Sequence, residues 1–305
     1  LTSSVEHRRL SFRRAARLLL WLCAGFFVFA FLALRAMAAM LSRYDDPQRL
    51  EAEIHVTRTS HFTIRWVRRH VAAADCELVF VHGSPGGAGV WHSQFVQPYP
   101  GADLIAYDRP GYGGSGPTRR QPHLQEQVDG LMALLAVAST NRVLLVGHSY
   151  GSPICLLAAL EHPERVGGVL LIGSDVDPAE EKPMWIGRLF GWRVVSWLLP
   201  HNLRQCNREM LTVRGDLEVL QKNLPQLAVP VVMLHGGRDQ LVPVENVAWL
   251  QGQLTAAGKK ELFTGNVLPD YNHFIPWEHP EAVAAAITIL KQKAQNNPTS
   301  GFKGS

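Results

Sequence analysis

Apolar positions along this chain fall into one long run and several short ones. The long run, residues 18–34 (LLLWLCAGFFVFAFLAL), holds no charge, and Ala and Met carry it past Arg35 to Leu41. That is long enough for a helix to cross the roughly 30 Å hydrocarbon core of a bilayer. Five short runs, at 78–81, 104–107, 143–146, 169–172 and 231–234, are apolar at every position. Strands of that kind suit a parallel sheet covered on both faces. An earlier stretch, 54–71, alternates instead, most clearly over His61 to Val67, and reads as a first β region. Helical stretches run from Leu124 to Ala138 and from Ser152 to Glu161. Strands alternating with helices predict an α/β core with a doubly wound, mostly parallel sheet.

The pattern changes twice more. Between Pro178 and Pro225 an aromatic, apolar segment, Met184 to Leu199, gives way to a more polar helical stretch ending near Asn223. After Lys293 the residues are polar and small, and residues 294–305 are expected to form a disordered tail. Residues 42–53 read as a polar linker that leaves the long apolar run.

Charge gives the apolar run a direction. The chain carries 305 residues and a net charge of +4. Residues 1–17 hold Arg8, Arg9, Arg13, Arg14 and Arg17 against Glu6 alone, so the tail accounts for the whole net charge and the rest sums to zero. The pI of about 9.0 is therefore a property of the tail, and no footprint for a nucleic acid exists. A basic segment before a membrane helix stays cytoplasmic. This predicts a single-pass membrane protein with its main domain on the extracytoplasmic (periplasmic or extracellular) side. Ala36-Met37-Ala38 offers a weak cleavage site for a secretory signal, but the length of the Phe/Leu/Trp-rich run suits an uncleaved signal anchor over 18–41 better. Cys23, Cys76, Cys155 and Cys206 have no metal-site spacing, and neither GxGxxG nor a Walker sequence occurs. Neither a metal nor a nucleotide cofactor is expected.

The chemistry is concentrated in four loops that follow predicted strands. Gly147-His148-Ser149-Tyr150-Gly151 sits between the run 142–146 and a helix. Glycines two residues either side of a serine allow a turn tight enough to lift its hydroxyl clear of the sheet edge. The following helix directs its N-terminal N–H groups at the same place, which favours developing negative charge. Ser149 is the predicted nucleophile. Upstream, His82-Gly-Ser-Pro-Gly-Gly87 ends another strand, and the N–H groups of Ser84 and Tyr150 together are the expected oxyanion hole. Asp239, in His235-Gly-Gly-Arg-Asp239, is the expected partner that orients a histidine, with Asp175 or Asp177 as the alternative acid. His273, in Tyr271-Asn-His273-Phe274, is the expected general base, and His279 its competitor, set before Pro280 at a helix start.

Five landmarks in this order, HGSPGG, Asp108-Arg-Pro-Gly-Tyr-Gly-Gly-Ser-Gly116, GHSYG, HGGRDQLVP and NHFIPWEHP, are similar to those of the α/β-hydrolase fold superfamily over residues 50–293. The resemblance implies a core at 54–177 and 226–293, interrupted by a short helical lid at 178–225. In such a lid Trp185, Phe190, Trp192 and Trp197 line an acyl pocket, dip into the lipid surface or simply pack the lid onto the core. It also implies structural roles for His82, His148, Asp108 and Arg109. Serine at the elbow departs from the epoxide hydrolases and haloalkane dehalogenases of the superfamily, which carry aspartate there. The expected activity is a membrane-anchored serine hydrolase acting on a small-molecule ester or similarly activated acyl compound. HGSPGG also resembles the loop of proline iminopeptidases, whose lid carboxylates meet a substrate amine. Candidates here are Glu180, Glu181, Glu209, Asp216 and Glu218. Carbon–carbon bond hydrolysis and acyl transfer on the same triad stay open, as does a non-catalytic binding protein of the same fold.

Overall fold

The structure, a computed structural model, describes residues 2–117, 122–139, 142–181, 196 and 199–297. Helix α1 (Thr2–Tyr44) contains the long apolar run, and Arg14–Ala36 is long and apolar enough to cross a membrane. Its large apolar side chains between Leu18 and Leu32 are exposed, so no part of the domain covers them. Eight strands follow: β1 (Glu53–Arg58), β2 (Thr63–Arg69), β3 (Cys76–Val81), β4 (Ala102–Tyr107), β5 (Val143–His148), β6 (Val166–Ile172), β7 (Val231–Gly236) and β8 (Phe263–Leu268). They form one sheet in the order β1-β2-β4-β3-β5-β6-β7-β8. Only β2 opposes its neighbours; β4, β3, β5, β6, β7 and β8 run parallel.

The strands that are apolar at every position are buried at every position because both faces are covered. Successive side chains point to opposite faces of a strand. Val79, Val81, Val143, Leu145, Val169 and Leu171 accordingly meet one core, and Leu78, Phe80, Leu144, Val146, Leu170 and Ile172 the other. The short helix α2 (His92–Phe95) lies on the second side; α3 (Leu124–Ala138), α4 (Gly151–Glu161), α5 (His201–Asn223) and α6 (Glu245–Ala256) contribute to the first. Helices α7 (Ile275–Glu278) and α8 (Pro280–Asn296) complete the second layer. Helix α8 continues past Lys293 to Asn296, with Ala294 buried against the core, so the helix runs past the expected tail boundary.

In the region expected to form a lid, α5 is described; Trp185, Phe190, Trp192 and Trp197 lie outside the described residues. Helix α5 buries Gln205, Glu209, Val213, Leu217 and Leu220, a stripe with helical spacing. Its Asp216 accepts from the Leu124 N–H at 3.1 Å and from His123 at 3.0 Å, tying it to the start of α3.

The segment after α1 is not a free linker. Asp45, Pro47 and Leu50 are buried. Asp46 caps the 3-10 turn Pro47–Leu50, accepting from the Gln48 N–H at 3.0 Å. The Asp45 carbonyl accepts from the Gly89 N–H at 3.2 Å, and its carboxyl accepts from Asn202 of α5 at 3.3 Å. His92 donates to the Arg49 carbonyl at 2.7 Å. The exit of the apolar helix is thereby seated against both the segment after β3 and α5. Burial, reinforced by the Asp108 carboxylate, pushes the Asp45 carboxyl up to about 7 against the hydrogen bond from Asn202.

A carboxyl whose pKa is raised by docking favours the docked state fully below its free value of about 3.9. That contribution is lost as pH rises through the docked value. Trypsin cleavage after Arg49, normalised to a free peptide of the same sequence, should therefore accelerate between about pH 5 and about pH 7.5. Asp45→Asn should flatten that dependence. A native protein whose cleavage ignores pH would show that Asp45 does not hold the segment.

Candidate active site

Close packing at the end of β5 forces an unusual backbone on Ser149. A Cβ on Gly151 would lie 2.2 Å from the Val81 carbonyl oxygen, and one on Gly147 would lie 2.6 Å from that of Gly151. Neither position has room for a side chain, so α4 starts directly against β3. The turn from β5 into α4 puts Ser149 at φ +52°, a left-handed conformation that costs a residue with a Cβ about 1 kcal/mol or more. Serine in that state, with the side chain partly exposed at the sheet edge, is the geometry expected of the elbow. The Ser149 N–H donates to the Ile172 carbonyl at 2.9 Å, which fixes the turn to the end of β6.

His273 and Asp239 meet on the next residue of that strand end. Gly173 has φ +52°, and a Cβ there would sit 3.1 Å from His273 Nδ1 and 3.4 Å from Asp239 Oδ2. His273 Nδ1 donates to Asp239 Oδ2 at 2.7 Å. The other carboxylate oxygen, Oδ1, accepts from the Leu241 and Val242 N–H groups, each at 2.9 Å. Burial would raise the Asp239 pKa, but the His273 hydrogen bond, the Val242 N–H, the imidazole charge and the Leu241 N–H outweigh it and hold it below the usual carboxylate value. An ionised carboxylate only accepts, so the Nδ1 of His273 carries the proton and Nε2 is left as the basic nitrogen. One oxygen of Asp239 thus holds its own loop while the other pairs with His273.

Two of the alternative residues, Asp177 and His279, are occupied elsewhere. Asp177 accepts from the Ala179 N–H at 2.9 Å. His279 stacks on Tyr271 with ring centres 3.6 Å apart and precedes α8. Burial, followed by the nearby His273 charge, pushes His148 down to about 3; this neutral ring donates from Nε2 to the His273 carbonyl at 3.0 Å. The residue beside Ser149 thus fixes the backbone of His273.

The loop after β3 packs against the elbow, since a Cβ on Gly83 would lie 3.0 Å from that of Ser149. Among the described residues, neither the Ser84 N–H nor the Tyr150 N–H donates to a protein acceptor. What residue patterns alone did not reveal is the network behind this loop. Arg109, wholly buried, donates to the His82 carbonyl at 2.9 Å, the Gly83 carbonyl at 3.0 Å and Ser84 Oγ at 2.7 Å. Its carboxylate partner is Glu209 of α5, also wholly buried, at 2.9 Å. Tyr112 donates to Glu209 at 2.7 Å, and Ser84 Oγ donates to the same oxygen. Asp108, expected to shape the edge, does so by accepting from Arg65 and from the N–H groups of Ala88 and Gly114. The position of Glu209 on the buried stripe of α5 was the one available signal: a carboxylate on that face needs a buried partner.

All four cysteines are free, and among the described residues no cluster of histidine, cysteine and acidic side chains suits a metal.

Residues 78–194 match the family model described as alpha/beta hydrolase fold. The pimeloyl-[acyl-carrier protein] methyl ester esterase of Yersinia enterocolitica is 33% identical over 255 residues, 72% of this chain and 95% of that protein. Protein ABHD8 of Mus musculus is 26% identical over 248 residues, 70% of this chain and 54% of that protein, so the chain spans about half the length of the ABHD8 proteins it matches. Among solved structures, a membrane phospholipase A described as a bacterial virulence factor superposes with a TM-score of 0.61 at 20% identity, covering 93% of this chain and 99% of its own. At that identity the likeness is one of fold.

The elbow yields a direct test of its packing. Gly151→Ala should lower the unfolding free energy by about 1–3 kcal/mol, the usual cost of overpacking. At roughly 2–4 °C per kcal/mol for a domain of this size, the melting temperature should fall by several degrees. Native-like melting of this variant would mean that α4 does not abut β3 as tightly as described.

Proposed function

The chain belongs to the α/β-hydrolase fold family, and on that premise we propose that it is a membrane-anchored serine hydrolase cleaving a small-molecule ester or similarly activated acyl compound. The observation that carries this reading is the convergence on one sheet edge of a left-handed Ser149 and a hydrogen-bonded His273–Asp239 pair, both seated at the end of β6.

In the proposed cycle, His273 Nε2 takes the Ser149 hydroxyl proton as Oγ bonds to the substrate carbonyl carbon. The carbonyl π pair moves onto oxygen, where the N–H groups of Ser84 and Tyr150 donate to it. Collapse of the tetrahedral species breaks the bond to the leaving alkoxide, which receives the proton from His273. A water molecule then gives its proton to His273 and its oxygen to the acyl carbon, and collapse returns Ser149 and a free acid. Asp239 keeps the imidazole in the required tautomer and stabilises its cation.

Two observations favour an ester over an amino-terminal peptide substrate. The Yersinia relative is named for a methyl ester. Glu209, the lid carboxylate nearest the loop after β3, is bound by Arg109 and is thus not free to receive a substrate ammonium. The exposed Phe274 beside His273, and Leu241 two residues past Asp239, give the rim an apolar character suited to an acyl chain. The domain is anchored through residues 18–41, with the basic tail on the cytoplasmic side and the site beyond the membrane.

Ser149→Ala should lower kcat for a p-nitrophenyl ester at least about 10⁴-fold, in line with triad deletions elsewhere, while the melting temperature stays near that of the native protein. Retention of most turnover would remove Ser149 from the chemistry. A series of p-nitrophenyl esters of rising chain length, run beside aminoacyl-proline amides, should be cleaved in preference to the amides. The reverse order would assign a peptidase.

A further inference from the structure

A buried carboxylate on a helix is a costly feature that the reaction described above does not use. Helix α5 turns Gln205, Glu209, Val213, Leu217 and Leu220 inward. The last three join the core, but Glu209 pairs with Arg109 and Gln205 donates to Glu209. Glu209 Oε1 accepts from Arg109 Nη1 at 2.9 Å and from Gln205 at 3.3 Å. Its Oε2 accepts from Tyr112, from Ser84 Oγ and, at 3.3 Å, from Arg109 Nη2. Burial opposes the Arg109 charge, but the Glu209 carboxylate holds its pKa above the ordinary arginine value.

Arg109 has no spare donor. Its Nε–H goes to the His82 carbonyl, Nη1 serves Gln127 and Glu209, and Nη2 serves the Gly83 carbonyl and Ser84 Oγ. Such a fork is rigid because the guanidinium is planar and its N–H directions are fixed. The Gly83 carbonyl at 3.0 Å from Nη2 has a consequence one bond further on. In a trans peptide the C=O and the following N–H point in opposite directions. Only Ser84-Pro85 and Gly116-Pro117 are cis among the described residues, so the Gly83-Ser84 peptide is trans. With its carbonyl held on Arg109, this peptide turns the Ser84 N–H away from the ion pair.

We propose that Glu209 is a positioning residue for acyl transfer at Ser149: through Arg109 and Ser84 Oγ it locks the Gly83-Ser84 peptide so that the Ser84 N–H faces the reacting carbonyl. The proposal rests on the reading of Ser84 as an oxyanion donor. It adds that the donor is aimed by a group from the lid region, so the hole is complete only while α5 is seated. Preorganised donors stabilise charge that exists only in the transition state, so loss of aim lowers kcat and leaves ground-state binding alone.

The test uses the full chain in detergent micelles, a p-nitrophenyl butyrate assay and thermal melting. Glu209→Gln keeps the shape but not the charge, and kcat should fall about 10- to 100-fold, less than deleting an oxyanion donor, with KM within about threefold. The double variant Arg109→Met/Glu209→Leu replaces the pair by apolar groups, an exchange that is often neutral or stabilising. Because it also strips the His82 and Gly83 carbonyls, Gln127 and Tyr112 of partners, it should melt below the native temperature and keep a reduced kcat. Native kcat in the folded double variant would reduce Glu209 to a structural pin and overturn the proposal, as would a loss confined to KM. If the double variant does not fold, unchanged kcat in Glu209→Gln overturns it instead. Failure of the underlying reading looks different: native protein with no Ser149-dependent turnover at all.

Discussion

Helix α4 leaves β5 with so little clearance that two backbones pass where side chains would ordinarily stand. The Val81 carbonyl lies within 2.2 Å of where a Gly151 Cβ would be, and Gly151 itself crowds Gly147. Ser149 absorbs the resulting bend at φ +52°. This steric constraint fixes the remaining geometry of the edge. It brings the loop after β3 against the elbow, fastens Ser149 to the end of β6, and leaves Gly173 as the surface on which His273 and Asp239 rest. The strain is local and is held by the rigid parallel strands beneath it, the usual place for binding groups in open α/β sheets.

Charges behind the edge are arranged around that constraint. His148, adjacent to the serine, is neutral and holds the His273 carbonyl. Arg109 supports the loop after β3 from within and is neutralised by Glu209 from a helix more than ninety residues further along the chain. Asp45 joins the end of the apolar helix to both that helix and the segment that follows the loop. The exit of the apolar helix, α5 and the candidate oxyanion turn are thus linked by a few buried polar contacts. Such contacts are sensitive to loss of one partner, because the other is left uncompensated out of water.

Much of the architecture could be read from residue pattern because local and tertiary requirements coincide there. The five apolar strands, the helix 124–138 and the first β region are present at nearly the expected bounds, since a fully covered strand must be apolar on both faces. The edge strand β8 is different: Phe263-Thr-Gly-Asn-Val-Leu268 is half exposed and carries no continuous apolar run, so nothing local announces it. The His273–Asp239 pair was legible from strand-end position and chain order. The Arg109–Glu209 pair was not, because two charges far apart in sequence give no sign of being buried together until the fold is known. For the same reason the polar residues at 45–50 looked like a linker, although Asp45 and Leu50 are packed.

The central claim is that one alcohol at this sheet edge is made nucleophilic by its surroundings. Intact-mass and peptide mapping after incubation with a fluorophosphonate tests it most directly, because the reagent reports the reactive oxygen itself. A single adduct on the peptide containing Ser149 is the predicted result. A folded protein that gains no adduct, or gains it on another residue, contradicts the account.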